Sequence, residues 1–362
     1  MLTPTEDVVN KLKLLHPESA NIQPDTLIHG PIEEISPAYF YSIDENEILK
    51  AANATKGSGG PSQQDAQQWR RMLCSKKFKR EGLELREELA IFARKIASEV
   101  VDPYCLEAYV ASRLIPLNKN PGEEDVQIRP IGVGEVMRRI VGKAISWCLS
   151  KEIQEAAGPL QVSAGLKGGA EAAIHAMKII YEKDSSDGVI LVDAANAFNQ
   201  LNRYVALHNM QYLCAPFAVI LINTYRVPTR LFITGGGEIE SSEGTTQGEP
   251  LAMPFYGISV RPIIDKLDSK MNNSVPDTFP PASIKVSQVW LADDASAAGK
   301  LRYLKEWWTS IIEEGKKYGY FVKPCKSLLI LKSASQHEEA EMLFQDCPIN
   351  ITIEGKRHLG RC

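Results

Sequence analysis

Asp193 and the pair Asp293-Asp294 are the residues of this chain whose surroundings ask most plainly for a chemical role. Asp193 follows Val189-Ile190-Leu191-Val192, which is apolar on both faces of the pleat and predicts a short buried strand from Gly188 to Val192. A carboxylate at the end of such a strand is costly unless it is paired or holds a cation. Far downstream, Val289-Trp290-Leu291-Ala292 is a second apolar strand, and it ends in the two acids. Strands that deliver aspartates side by side offer hard oxygen ligands to Mg²⁺. Two such ions about 3.5–4 Å apart support in-line phosphoryl or nucleotidyl transfer.

Elements on either side must position these acids. After Asp293-Asp294 a strand over Ala295 to Ala298 closes a hairpin with the acids at its turn, and Leu301, Leu304, Trp308, Ile311 and Ile312 form the core face of a helix, with both Trp307 and Trp308 read as core. Phe321 to Leu331 is expected to be extended and to carry Lys326. A helix follows over Ser335 to Gln345, then a terminal hairpin over Ile349 to Leu359. Upstream, Ala111 to Lys119 and Val126 to Ile131 predict a hairpin that brings Lys119 near Arg129. Two cations held in that way suit a triphosphate, because Arg binds phosphate oxygens in bidentate fashion and Lys acts as a point charge. Gly134 to Ile153 reads as one helix with Val136, Ile140, Val141, Ala144 and Ile145 on its apolar face and Arg138, Arg139 and Lys143 off it. Gln161 to Lys167 reads as a loop, and Ala170 to Tyr181 as a helix leading to the first acid strand. Asn202 to Leu213 and Pro216 to Tyr225 are helices, and Thr229 to Thr234 with Glu238 to Ser242 is a hairpin. In Glu243-Gly244-Thr245-Thr246-Gln247-Gly248-Glu249-Pro250-Leu251 the glycines allow close backbone approach to a ligand, Gln247 offers donor and acceptor, and Pro250 suits the first position of a helix. Ser269 to Pro281 is a polar loop.

The chain has 362 residues, 44% hydrophobic and 24% charged, an ordinary globular balance that can bury a sizeable core. Its formal net charge of −4 means that a nucleic-acid partner must be held by local basic patches and metal. Two stretches qualify. Lys56 opens Gly57-Ser58-Gly59-Gly60, either a phosphate cradle or a plain loop between helices; Arg70, Arg71, Lys76 and Lys77, interleaved with aromatics, are either a phosphate-backbone contact or a solvated helix end. The seven cysteines include no CxxC pair, so neither a zinc module nor a disulfide framework is expected, and they read as thiols in a reducing compartment. No apolar run approaches 18 residues and no signal-peptide core opens the chain, which predicts a soluble intracellular protein without a membrane partner, nuclear or cytoplasmic.

The order of these motifs resembles that of a reverse transcriptase: Arg129-Pro130-Ile131, then Val192-Asp193 with Asn196-Ala197-Phe198-Asn199, then Gln247-Gly248-Glu249-Pro250-Leu251, then Ala292-Asp293-Asp294, then Gly319 with Lys326, then His358-Leu359-Gly360. The branch it is similar to is that of LINE-type retroelements, which lack long terminal repeats, and the likeness runs from about Leu106 to Gly360. The resemblance implies an α+β right-hand polymerase with an antiparallel palm sheet: an N-terminal extension over 1–55, fingers over 56–187, palm over 188–348 and the start of a primer-grip hairpin over 349–362. Because the chain stops at Cys362, the thumb is expected to be absent.

The implied activity is RNA-templated DNA synthesis, an RNA template directing transfer of dNTPs to the 3′-hydroxyl of a DNA primer. Two Mg²⁺ ions, with Mn²⁺ as a substitute, would be held by Asp193, the Ala194 carbonyl and Asp293, with Asp294 assisting. Lys119 and Arg129 would hold the triphosphate, Gln247 and Gly248 would border the nascent base pair, and Lys326 would be the general acid toward pyrophosphate. Phe198 stands where the family places an aromatic that collides with a ribose 2′-hydroxyl. That collision, and the lack of a glycine before Asp293, oppose an RNA-dependent RNA polymerase. The alternative from another class is an inert nucleic-acid-binding remnant without a thumb.

Overall fold

Among the described residues, apolar runs and alternating stretches become nine strands, in chain order β1 (Ser112–Asn118), β2 (Ile128–Gly134), β3 (Gly188–Val192), β4 (Thr229–Ile233), β5 (Glu238–Ser241), β6 (Val286–Leu291), β7 (Asp294–Gly299), β8 (Leu328–Leu331) and β9 (Asn350–Thr352). The computed structural model describes residues 1–122, 126–164, 168–246, 248–272 and 284–354. The chain is a mixed α and β protein. It divides into two compact units that interleave in sequence: Met1–Ile153 with Phe198–Phe255, and Gln154–Ala197 with Tyr256–Cys362.

In the first unit the strand order is β2-β1-β4-β5, with β1 antiparallel to β2 and parallel to β4. Outward positions of the β1–β2 hairpin alternate with buried ones such as Leu114, which packs with Val8, Leu12, Leu231, Ile233 and Ile239. In the same unit the helices Glu45–Ala54, Ala66–Cys74 and Lys79–Ser98 pack on one another, the last burying Leu89, Ala93, Ile96 and Ala97 at helical spacing. The single helix expected from Gly134 to Ile153 is two, Val136–Cys148 and Ser150–Ala157. Arg138, expected off the buried face, is instead 2% exposed. A guanidinium enters a core when a partner waits there, and Glu249 is that partner, its Oε2 3.1 Å from Arg138 Nε.

In the second unit the order is β6-β7-β3-β8-β9, with β3 in the middle, as its two-sided apolarity requires. Val189 packs with Met177, Ala298 and Ile330, and the helix Leu301–Lys317 buries Leu304, Trp307, Trp308 and Ile311, both tryptophans fully. The sheet is not wholly antiparallel: β8 and β9 run parallel. β9 therefore pairs with an earlier strand where a terminal hairpin was expected, and His358, Leu359 and Gly360 lie outside the described residues. Lys326 does not sit in a strand. Pro324 cannot donate to a ladder, and Pro324–Lys326 is a 3₁₀ turn ahead of β8. The helix expected to open at Pro250 begins at Ala252 and ends at Ser259. A second helix, Arg261–Asn272, runs into the first residues of the stretch expected to be polar loop.

Candidate active site

The second unit brings the three aspartates together. Val192 of β3 pairs with Ala295 of β7, so the next residue along, Asp193, comes opposite Asp294. Leu291 pairs with Asp294, which leaves Ala292 and Asp293 as the two central residues of the β6–β7 turn. Like charges directly opposite on neighbouring strands repel, and the electrostatics record it. Burial first, then Asp293, then Asp193, push the Asp294 carboxyl up to about 6 from 3.8. Both neighbouring charges acting on it are negative, the condition that a bound cation relieves.

The backbone around the acids is held by side chains that the sequence reading passed over. Ser327, fully buried, accepts a hydrogen bond from the Asp193 N–H at 3.1 Å and donates to the Lys323 carbonyl at 3.0 Å. The Lys323 N–H in turn donates to the Asp193 carbonyl at 2.8 Å, so the turn that carries Lys326 is tied directly to the first acid. Ala195 N–H donates to Phe321 O, and Ala194 pairs antiparallel with Val322. That pattern directs the Ala194 carbonyl away from the Val322 segment, as a ligand role requires. The Tyr320 hydroxyl donates to the Asp293 carbonyl at 2.8 Å. Burial, then Asp293, Asp294 and Asp193, raise the Tyr320 phenol far above its ordinary value, so it stays a neutral donor.

Among the described residues no three His, Cys, Asp or Glu side chains form a preformed metal cluster. The donor set nonetheless fits Mg²⁺, which keeps water and phosphate oxygens and takes one or two carboxylates in place of an all-protein shell. Asp193 and Asp293 would supply those carboxylates, and the Ala194 carbonyl a neutral oxygen.

In the first unit, residues 198–203, the loop 243–249 and the β1–β2 hairpin meet. Leu117 pairs with Arg129, and Lys119 N–H donates to Gln127 O at 2.8 Å. Lys119 and Arg129 are thus diagonal neighbours on one face of the hairpin, both exposed. The loop is anchored from below by Arg203, 4% exposed, which donates to Ser241 O, Ser241 Oγ, Glu243 O and Gly244 O at 2.6–2.9 Å. Thr245 N–H donates to Phe198 O at 2.6 Å, and a Cβ on Gly244 would stand 2.1 Å from that oxygen. Gly248 has φ +98°, and a Cβ there would approach the Gly132 carbonyl to 3.2 Å. Gln247 lies outside the described residues. Phe198 is half-buried and its neighbour Asn199 is buried, donating to Leu15 O at 3.0 Å.

Glu249 completes the loop from inside. Burial pushes its carboxyl up, against the pull of Arg138 and Arg139, and a Cβ on Gly134 would stand 2.5 Å from its Oε1. The Gly-rich loop is wired through its carbonyls: Lys56 and Ser58 accept from Arg139, and Gly59 from Arg113. Arg71, Lys76 and Lys77 are exposed and Arg70 is half-buried. The six described cysteines are free thiols, and among the described residues no helix is long and apolar enough to cross a membrane. No protein-family model matches the chain, and no curated protein matches its sequence.

Proposed function

We propose that this chain is a metal-dependent, template-directed nucleotidyltransferase of the reverse transcriptase kind. The observation that carries the reading is the convergence of Asp193, Asp293 and Asp294 at one end of the central strands, with Asp294 pushed up to about 6 by burial and by the other two acids. Two acids that raise the pKa of a third at the end of buried strands make the arrangement a phosphoryl-transfer site uses, because a bound cation relieves their repulsion.

In this reading Asp193 and Asp293 hold Mg²⁺, with the Ala194 carbonyl beside them. When bound, the metal supplies a lowered pKa for a primer 3′-hydroxyl and stabilises charge on the α-phosphate and the leaving pyrophosphate. Lys326, exposed on a turn that hydrogen-bonds to Asp193, donates a proton to that leaving group. The nucleotide-facing roles of Lys119, Arg129, Phe198, Gln247 and Gly248, and an RNA template with a DNA primer, rest on the order of motifs in the sequence. So do the phosphate-backbone roles of Lys56, Arg70, Arg71, Lys76 and Lys77.

The deciding experiment is primer extension on an RNA template with Mg²⁺, comparing dNTPs with rNTPs and wild type with Asp293→Ala. Incorporation of dNTPs that is lost in the variant is expected. A preference for rNTPs would transfer the chain to the RNA-dependent RNA polymerases and overturn the role of Phe198. Binding of template without incorporation would leave the nucleic-acid-binding reading in its place.

A further inference from the structure

Gln161 is a glutamine with no exposed surface, and its carboxamide binds both backbone groups of one residue of the acid turn. Its Oε1 accepts from the Ala292 N–H at 2.8 Å and its Nε2 donates to the Ala292 carbonyl at 3.2 Å. Ser163 Oγ donates to the same Oε1 at 2.9 Å, which fixes the amide's orientation. The backbone on either side is pinned as well. Val162 N–H donates to Trp290 O and Trp290 N–H to Leu160 O, both at 2.8 Å, so residues 160–162 lie along β6 as a partial extra strand.

Ala292 has φ +56° and carries a Cβ. Left-handed backbone at an L-residue is disfavoured by roughly tenfold, and two-residue hairpin turns ordinarily place Gly, Asn or Asp there. Alanine offers no side-chain hydrogen bond to support itself in that conformation. The support has to come from outside the turn.

We propose that Gln161 is the positioning residue of the acid turn: by accepting from the N–H and donating to the C=O of Ala292 it holds the left-handed backbone that presents Asp293. Gly257 of the helix Ala252–Ser259 is the complementary vacancy. A Cβ there would lie 3.1 Å from Ser163 Oγ, a tight contact with the hydroxyl that orients the carboxamide, and 3.4 Å from Gln161 Cγ. The effect on rate rests on the nucleotidyl-transfer reading. The effect on the turn does not.

The test compares Gln161→Leu with wild type, each in the Ala292 and the Ala292→Gly background, using protein labelled at alanine and tryptophan so that the Ala292 and Trp290 amides are both followed by NMR. Loss of the clamp leaves a buried N–H and C=O unpaired, so exchange of the Ala292 amide in Gln161→Leu should rise about tenfold or more. The Trp290 amide, held by Leu160 O, serves as the internal reference and should not follow. Where the chain incorporates nucleotide, kcat should fall roughly ten- to a hundredfold with KM for nucleotide within about threefold. Placing glycine at 292, which adopts positive φ without cost, should make the Gln161→Leu step far smaller. Unchanged Ala292 exchange, or a fall in kcat that Ala292→Gly does not soften, overturns the proposal. If the wild type incorporates nothing, the nucleotidyl-transfer reading fails while the exchange arm still decides the clamp. If Gln161→Leu does not fold, Gln161→Glu, which keeps the acceptor and loses the donor, is read by the same exchange.

Discussion

Replacing Asp294 with asparagine should make the protein more stable at neutral pH while removing nucleotide incorporation. The carboxyl is displaced from 3.8 to about 6 by burial, Asp293 and Asp193. A displacement of about two units corresponds to roughly 3 kcal/mol at 1.36 kcal/mol per unit, and the cluster's contact with solvent screens it to about 1–2 kcal/mol. The sign follows from proton counting. Between pH 3.8 and about 6 the folded state holds the proton that the unfolded state has released, so stability is fully present below 3.8 and falls as pH rises through 6. Urea unfolding in EDTA should therefore give wild type and Asp294→Asn similar stabilities near pH 4, and the variant a lead of about 1–2 kcal/mol at pH 7, some 2–8 °C in Tm. Mg²⁺ should narrow that lead, because a cation bound to the folded state stabilises the wild type by mass action. A variant less stable than wild type at pH 7, or one that keeps the wild-type slope between pH 4 and 7, would refute the claim that the acids repel one another in the folded protein.

Two further outcomes follow from the first unit. Glu249→Leu strands the Arg138 charge in the core and should cost about 3–5 kcal/mol, while Arg138→Met combined with Glu249→Leu should recover most of it; equal urea midpoints for the single and double variants would count against the pair. Gly244→Ala forces a Cβ to within 2.1 Å of Phe198 O at a φ of +66° and should lower stability by about 2 kcal/mol or more, read as a drop in Tm; an unchanged Tm would mean that the loop is not held against residue 198.

The acids were legible because each follows an apolar strand, a local pattern that needs no knowledge of the partner. β3 spans the residues the pattern gives and β7 differs by one residue at each end, while β6 starts three residues ahead of the expected Val289. What the sequence hides is non-local. Arg138 reads as a surface residue from helical spacing alone, and only Glu249, far along the chain, accounts for its burial. Gln161 reads as a loop residue because its role is a pair of hydrogen bonds to Ala292, which no periodicity encodes. Arg203 and Ser327 were missed for the same reason. Pro324 did carry a usable signal, since a proline ahead of Lys326 argues against a central strand there. The end of the helix Arg261–Asn272 was obscured by its polar residues, although Ile263, Ile264, Leu267 and Met271 keep helical spacing.

The interleaving of the two units has a consequence for synthesis. β3 leaves the ribosome as an apolar strand both of whose edges are meant to be covered, yet its neighbour β7 begins at Asp294 and β8 at Leu328. At about 5–20 residues per second the first partner emerges roughly 5–20 s later. During that interval the chain completes Phe198–Phe255, the part that returns to the first unit. The first unit can thus close while the strand that ends in Asp193 still waits. A nascent chain paused between residues 256 and 294 would carry an uncovered Val-Ile-Leu-Val edge, the species on which a chaperone, or another copy of the same chain, has the longest time to act.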